Sequence, residues 1–167
     1  MTKMKLWRRK CLNRKGANGT ASRTGLRLRF DSNVDNELRE GLKRFEVWLR
    51  QEYEFPIRVP VYVKGSDQIR AMDGEMVAGT FFGPFDREEE PYIKIAAGEF
   101  GSERTVRGHR EAIYDFCAAL AHELTHYYQW LNDASTTERG MEWQASYYST
   151  RIVYEYIEFT DDIESRF

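Results

Sequence analysis

The segment His122-Glu123-Leu124-Thr125-His126 holds two imidazoles and a carboxylate within five residues. Histidines four apart on a helix leave the same face, because one turn takes 3.6 residues, so both rings reach a single ion. Glu123, between them in sequence, is placed to take a proton from a water on that ion. Imidazole nitrogen suits zinc and a carboxylate suits general-base work, so the chemistry indicated is metal-assisted hydrolysis with one Zn2+ per chain. Cobalt and manganese accept the same donors, and zinc is the default on ligand type.

A hydrolytic zinc usually takes three protein ligands and keeps one position for water. His109, the remaining histidine of the chain, precedes the same helix and lies more than about four turns from His126, out of its reach. It reads as a polar residue near a helix start. Gln129 and Asn132 stand where an HxxGxxH extension would carry its glycine and third histidine. The third ligand therefore comes from another element. A helix returning antiparallel after a loop of about five residues would bring its first two turns across from His126. Two acids lie there, Glu138 and Glu142. Glu142 is the better placed, one turn inside, with the small Ala145 permitting close helix packing. Glu138 has a competing role in Ser135-Thr136-Thr137-Glu138, which has capping-box spacing.

These residues need elements to hold them. From about Arg110 to Trp130, the residues Ile113, Phe116, Cys117, Leu120, Leu124 and Tyr127 form one apolar stripe. Counted from Leu120, the two histidines fall at about 200° and about 240°, opposite that stripe. A last helix is predicted from Ser135 to about Glu158. Upstream, Leu26–Phe30 alternates as a strand. Asp31 or Ser32 caps a helix that runs to about Tyr53 and stops at Pro56. Ile57–Lys64 alternates again, with Pro60 suiting an edge or a bulge. Ile69–Ala71 and Glu75–Phe82 flank the turn residues Asp73-Gly74. Tyr92–Ala96 gives a last strand, after which Gly98 and Gly101 break the pattern. This order predicts an α+β fold, a small, mostly antiparallel sheet packed on helices.

A chain of 167 residues fits one domain, with 41% apolar and 31% charged residues typical of a soluble globular protein. No stretch approaches the ~20 apolar residues that span a membrane. Cys11 and Cys117 form no framework, which favours an intracellular, cytoplasmic setting. Residues 1–30 carry ten Lys or Arg and no acid, leaving 15 basic against 27 acidic side chains elsewhere. Residues 1–22, broken by Gly16, Asn18 and Gly19, read as a basic, flexible leader ahead of one domain over 23–167. Such a stretch suits nucleic acid, an acidic membrane surface or the body itself as its partner.

The HExxH segment followed by Glu142-Trp143-Gln144-Ala145 resembles the gluzincin pattern of zinc peptidases. The ExxA form is similar to the ImmA/IrrE-type branch and to the minigluzincins. The resemblance spans roughly residues 57–158 and rests on about nine motif residues. It implies a zincin-like fold, zinc on His122, His126 and Glu142, and Glu123 as general base. The partner implied is a peptide or protein substrate, added as a strand along an edge strand, a position that Tyr92–Ala96 occupies here. Ser146 stands where thermolysin-like members carry an aspartate. A downstream His or Tyr assists the oxyanion in many relatives; Tyr147, Tyr148, Tyr154 and Tyr156 are the candidates. Two other functions fit the sequence: a zinc module without catalysis, and a nucleic-acid-associated regulator anchored by residues 1–30.

Overall fold

The computed structural model describes residues 6–10, 25–134 and 136–167. Strand β1 (Leu26–Phe30) buries Leu26 and exposes Arg27 and Arg29. Helix α1 (Asn36–Glu52) starts later than Asp31 or Ser32, on Asp35, whose side chain accepts from the Glu37 N–H at 2.8 Å. Asp31 is not free to cap, because its carboxylate accepts from Gly65 N–H at 3.1 Å and from Lys64 Nζ at 3.2 Å. Leu38, Leu42, Phe45, Trp48 and Leu49 form the buried face of α1.

Strands β2 (Val59–Lys64), β3 (Ile69–Arg70), β4 (Met76–Val77), β5 (Gly79–Phe82) and β6 (Tyr92–Ala96) follow. β3 and β4 form an antiparallel hairpin around Gly74, whose φ of 88° is the left-handed conformation that the Asp-Gly turn requires. The main sheet has the order β1-β2-β6-β5. β1–β2 and β2–β6 are parallel, and only β5–β6 is antiparallel. The expected mostly antiparallel sheet is thus corrected to a mixed one in an α+β fold. The reason lies in the connections: α1 carries the chain back between β1 and β2, and the oppositely directed β5 carries it back between β2 and β6.

Two strand positions also differ from expectation. β2 is interior, and Pro60 is accommodated at its start. Val59 N–H donates to Gly25 O on the β1 side. Pro60 therefore turns its nitrogen toward β6, where pairing begins only at Val61. β6 is interior as well, so the edge strand on that side is β5, not Tyr92–Ala96.

Helix α2 (Phe100–Arg107), not anticipated from the sequence, is pinned by buried Phe100 against Phe116, with ring centroids 5.8 Å apart. Helix α3 (His109–Leu131) runs through the core. Its C-terminal half is tied to the loop before β2: Tyr127 Oη donates to Ile57 O at 2.6 Å and Tyr128 Oη to Glu54 O at 2.5 Å. Helix α4 (Glu138–Ser165) is longer than predicted and packs on α3 through Ala145, Ile152 and Val153. Its cap is Thr137, which accepts from Gly140 N–H at 3.1 Å. Glu138 is therefore the first helical residue rather than the far end of a capping box, and Ser135 lies outside the described residues. Cys117 is fully buried, as its place on the stripe implied.

Residues 6–10 belong to the body, which corrects the leader reading for that stretch. Leu6 and Trp7 are buried, Trp7 Nε1 donates to Thr125 Oγ1 at 3.1 Å, and Lys10 N–H donates to Glu52 O at 2.9 Å. The rest of 1–22, with Cys11, lies outside the described residues. No helix among the described residues is long and apolar enough to cross a membrane.

Candidate metal centre

α3 presents His122 and His126 one turn apart, with ring centroids 5.1 Å apart and ring planes at 79°. The six-residue connection after α3 lets α4 run back across it, and Glu142 arrives one turn into α4. His122 Nε2 lies 3.1 Å from Glu142 Oε2, and His126 Nε2 lies 3.0 Å from Glu142 Oε1. One donor atom from each of these three residues lies within 4.8 Å of the others, a spacing able to hold a metal ion. Glu138 lines the same cleft but does not join this cluster. His109 lies away from it, with Nδ1 2.7 Å from Glu37 Oε1.

His126 is held from behind. Its Nδ1 lies 2.8 Å from Gln129 Oε1. Gln129, only 1% exposed, donates through Nε2 to Met141 O at 3.0 Å and to Gln144 Oε1 at 2.9 Å. A backbone carbonyl only accepts, so the amide has one orientation and Gln129 Oε1 must face the ring. His126 thus donates from Nδ1 and turns Nε2 toward Glu142. Both ring nitrogens face oxygen acceptors, and a neutral ring satisfies only one of them. A cation between Nε2 and Glu142 satisfies the other, so the donor set fits a metal. Burial, reinforced by His126, lowers the pKa of His122 against the opposing pull of Glu142. That favours the neutral form that ligates a metal.

By sequence alone Gln129 marks only a departure from an extended histidine motif. Its position three residues after His126 on one helix was the available signal, since such pairs face each other. Replacing Gln129 by Leu removes the bond to His126 and the amide bonds that tie Gln129 to Met141 O and Gln144. We expect zinc affinity about 10–100-fold weaker, measured by competition with a chromophoric chelator. Unchanged affinity would show that the ring is oriented by something else.

Glu123 stands on the wall of the cleft, 8% exposed. Burial, reinforced by Glu142, pushes its pKa up to about 8. A divalent cation on the neighbouring ligands would oppose that rise. β5 passes close by: a Cβ on Gly79 would sit 2.9 Å from Glu123 Oε1, so only glycine lets strand and carboxylate approach this closely. The cleft, about 830 Å³, is bordered by Gly79, Thr80 and Phe81 of β5 on one side and by Trp130 and Met141 on another. Trp130 is fixed as a wall by donating to Pro84 O at 2.9 Å and by Arg87 lying 4.8 Å over its ring.

The four tyrosines singled out on α4 lie elsewhere. Tyr147 and Tyr148 line a second cavity, Tyr154 is exposed, and Tyr156 packs on Phe45 and Trp48. Among the described residues, the cleft lining contains no Tyr, Lys or Arg. No protein-family model, curated protein or solved structure matches the chain.

Proposed function

We propose that this protein is a zinc-dependent peptidase of gluzincin type, with His122, His126 and Glu142 holding the metal and Glu123 as general base. The observation that carries the reading is His126 set between Gln129 and Glu142 with its Nε2 aimed at the carboxylate. Zinc bound there would supply Lewis acidity and lower the pKa of a water toward neutrality. Glu123 takes the proton in the attack on the scissile carbonyl and returns it to the leaving amine. The wall of β5 keeps the Glu123 carboxylate at the cleft surface and shields it from bulk water.

β5 also supports the substrate class. It is an edge strand beside the ligands, so its unpaired backbone groups would take an extended peptide as an added strand. The test is incubation of zinc-loaded protein with a peptide library, read by mass spectrometry beside Glu123→Gln. New termini that appear only with wild type support the reading; the same products from both forms would sink it. Gly79→Ala provides a finer check. The added methyl displaces the Glu123 carboxylate while leaving the metal ligands in place. We expect hydrolysis slowed by at least about tenfold at unchanged zinc content.

A second reading, a zinc-binding protein without catalysis, is favoured by one feature: among the described residues the cleft lining holds no Tyr, Lys or Arg to stabilise a developing oxyanion. Retained zinc with no cleavage of any library member by wild type would favour it.

A further inference from the structure

A second cavity of about 760 Å³ opens beside α4 and shares no lining residue with the metal cleft. Half of its lining is aromatic: Trp7, Tyr53, Trp143, Tyr147 and Tyr148. Trp143 and Tyr147, one turn apart on α4, stack with centroids 5.6 Å apart and ring planes at 9°, and Tyr148 stands edge-on to Tyr147. Yet Trp143 is 69% exposed and Tyr147 is 44% exposed. Neither ring belongs to the core, so both leave aromatic surface open to a flat apolar group.

The charges beside these rings cancel. Arg9 pairs with Glu155 and Glu52, and Arg151 Nε lies 3.8 Å from the other Glu155 oxygen. Two guanidinium groups meet two carboxylates, so no net charge selects an ionic ligand. The acceptors are engaged as well. Glu155 accepts from Arg9 and, at 2.9 Å, from Tyr53 Oη, and Gln144 Oε1 accepts from Gln129 at 2.9 Å. Among the described residues, the groups left without a protein partner are the Trp143 indole N–H, the Tyr147 hydroxyl and the terminal nitrogens of Arg151. The ligand that fits is therefore uncharged, presents flat apolar faces and brings acceptors rather than donors. Proline answers that description, with a ring and no backbone N–H. A polyproline II helix has no internal hydrogen bonds, so its carbonyls stay available. The dimensions agree: Trp143, Tyr147 and Arg151 recur every four residues over about 12 Å of helix, which about four residues of polyproline II span.

From these features we infer that the Trp143–Tyr147 face binds a proline-rich segment in the polyproline II conformation. Proline rings lie on the two aromatic side chains, and the segment's carbonyls accept from the Trp143 indole and from Arg151. A preformed helix loses little entropy on docking, which is how aromatic-lined grooves hold such segments. Pro56, Pro60, Pro84 and Pro91 stand singly in the sequence, so the segment belongs to a partner. The site is separate from the peptidase reading and stands without it.

The test uses the full chain and fluorescein-labelled decaproline, followed by polarisation beside a Gly-Ser peptide of the same length. Wild type is expected to bind decaproline, with a change in tryptophan fluorescence and little difference between about 50 mM and about 200 mM salt. Trp143→Ala with Tyr147→Ala should weaken binding about tenfold or more. Trp143→Phe keeps a ring but removes the indole donor, and should weaken it about three- to tenfold. Both side chains are exposed, so these variants should fold, which circular dichroism checks. No binding of decaproline at about 1 mM protein would overturn the proposal. Equal binding by the double variant, or equal binding of the Gly-Ser peptide, would overturn it too. Tighter binding of a neutral oligosaccharide than of decaproline would assign the rings to sugars and overturn it likewise.

Discussion

Replacing Glu142 by Ala is expected to lower the zinc content of the purified protein from about one ion per chain to near none. Glu142 is the sole ligand contributed by α4, and its two oxygens face the two imidazoles separately. Two histidines on one helix remain in the variant and hold zinc weakly. One ligand's share of a binding free energy on the order of 10–16 kcal/mol is about 4 kcal/mol, or about three decades in affinity. The fold should survive, because the Glu142 side chain is mostly exposed and the α3–α4 contact is made by Ala145 and by the Gln129 bonds. Elemental analysis and chelator competition measure the first effect, and far-ultraviolet circular dichroism the second. Zinc retained at wild-type affinity would move the third ligand elsewhere, with Glu138 the next to test. No zinc in wild type, even after the metal is added back, would remove the centre altogether.

The second large effect concerns rate. Glu123→Gln is close to isosteric and keeps the side chain against Gly79, but the amide cannot accept and return a proton. Zinc content should be unchanged, because Glu123 is outside the ligand cluster. Hydrolysis should fall by about 10²–10⁴-fold, the usual share of a general base. Single-turnover cleavage of a library-derived peptide measures this. A loss of zinc along with the rate would mean that Glu123 supports the ligands rather than the chemistry. A loss of less than about tenfold would deny it the base's role.

Local features of this site were legible in the sequence, and tertiary ones were not. His122, Glu123 and His126 announce themselves because helix spacing alone puts the imidazoles on one face. Glu142 needed only a short connection and an antiparallel return. The direction of β2 against β1 could not be read, because Val59, Val61 and Val63 alternate identically in parallel and antiparallel pairing. The same limit hid the exchange of places by which β5, not β6, became the edge strand. Helix α2 escaped because Gly101 and five polar residues leave only Phe100 to mark its buried face. Gln129 acquires its role from a carbonyl on α4, a contact that no local pattern encodes. Trp7 was lost among basic residues, since one buried indole in a polar run has no periodicity to betray it.

That indole has a further use. Trp7 donates to Thr125 inside the motif helix, Trp130 donates to Pro84 O at the cleft wall, Trp143 stands open at the second cavity, and Trp48 is buried beside Tyr156. The four indole protons of the chain therefore sample the back of the metal helix, the substrate wall, the distant cavity and the core. A nitrogen–proton correlation spectrum would show four well-separated signals without any introduced probe. Zinc would shift chiefly the Trp130 and Trp7 signals, a ligand in the second cavity the Trp143 signal, and loss of packing the Trp48 signal, so one titration series would tell these events apart.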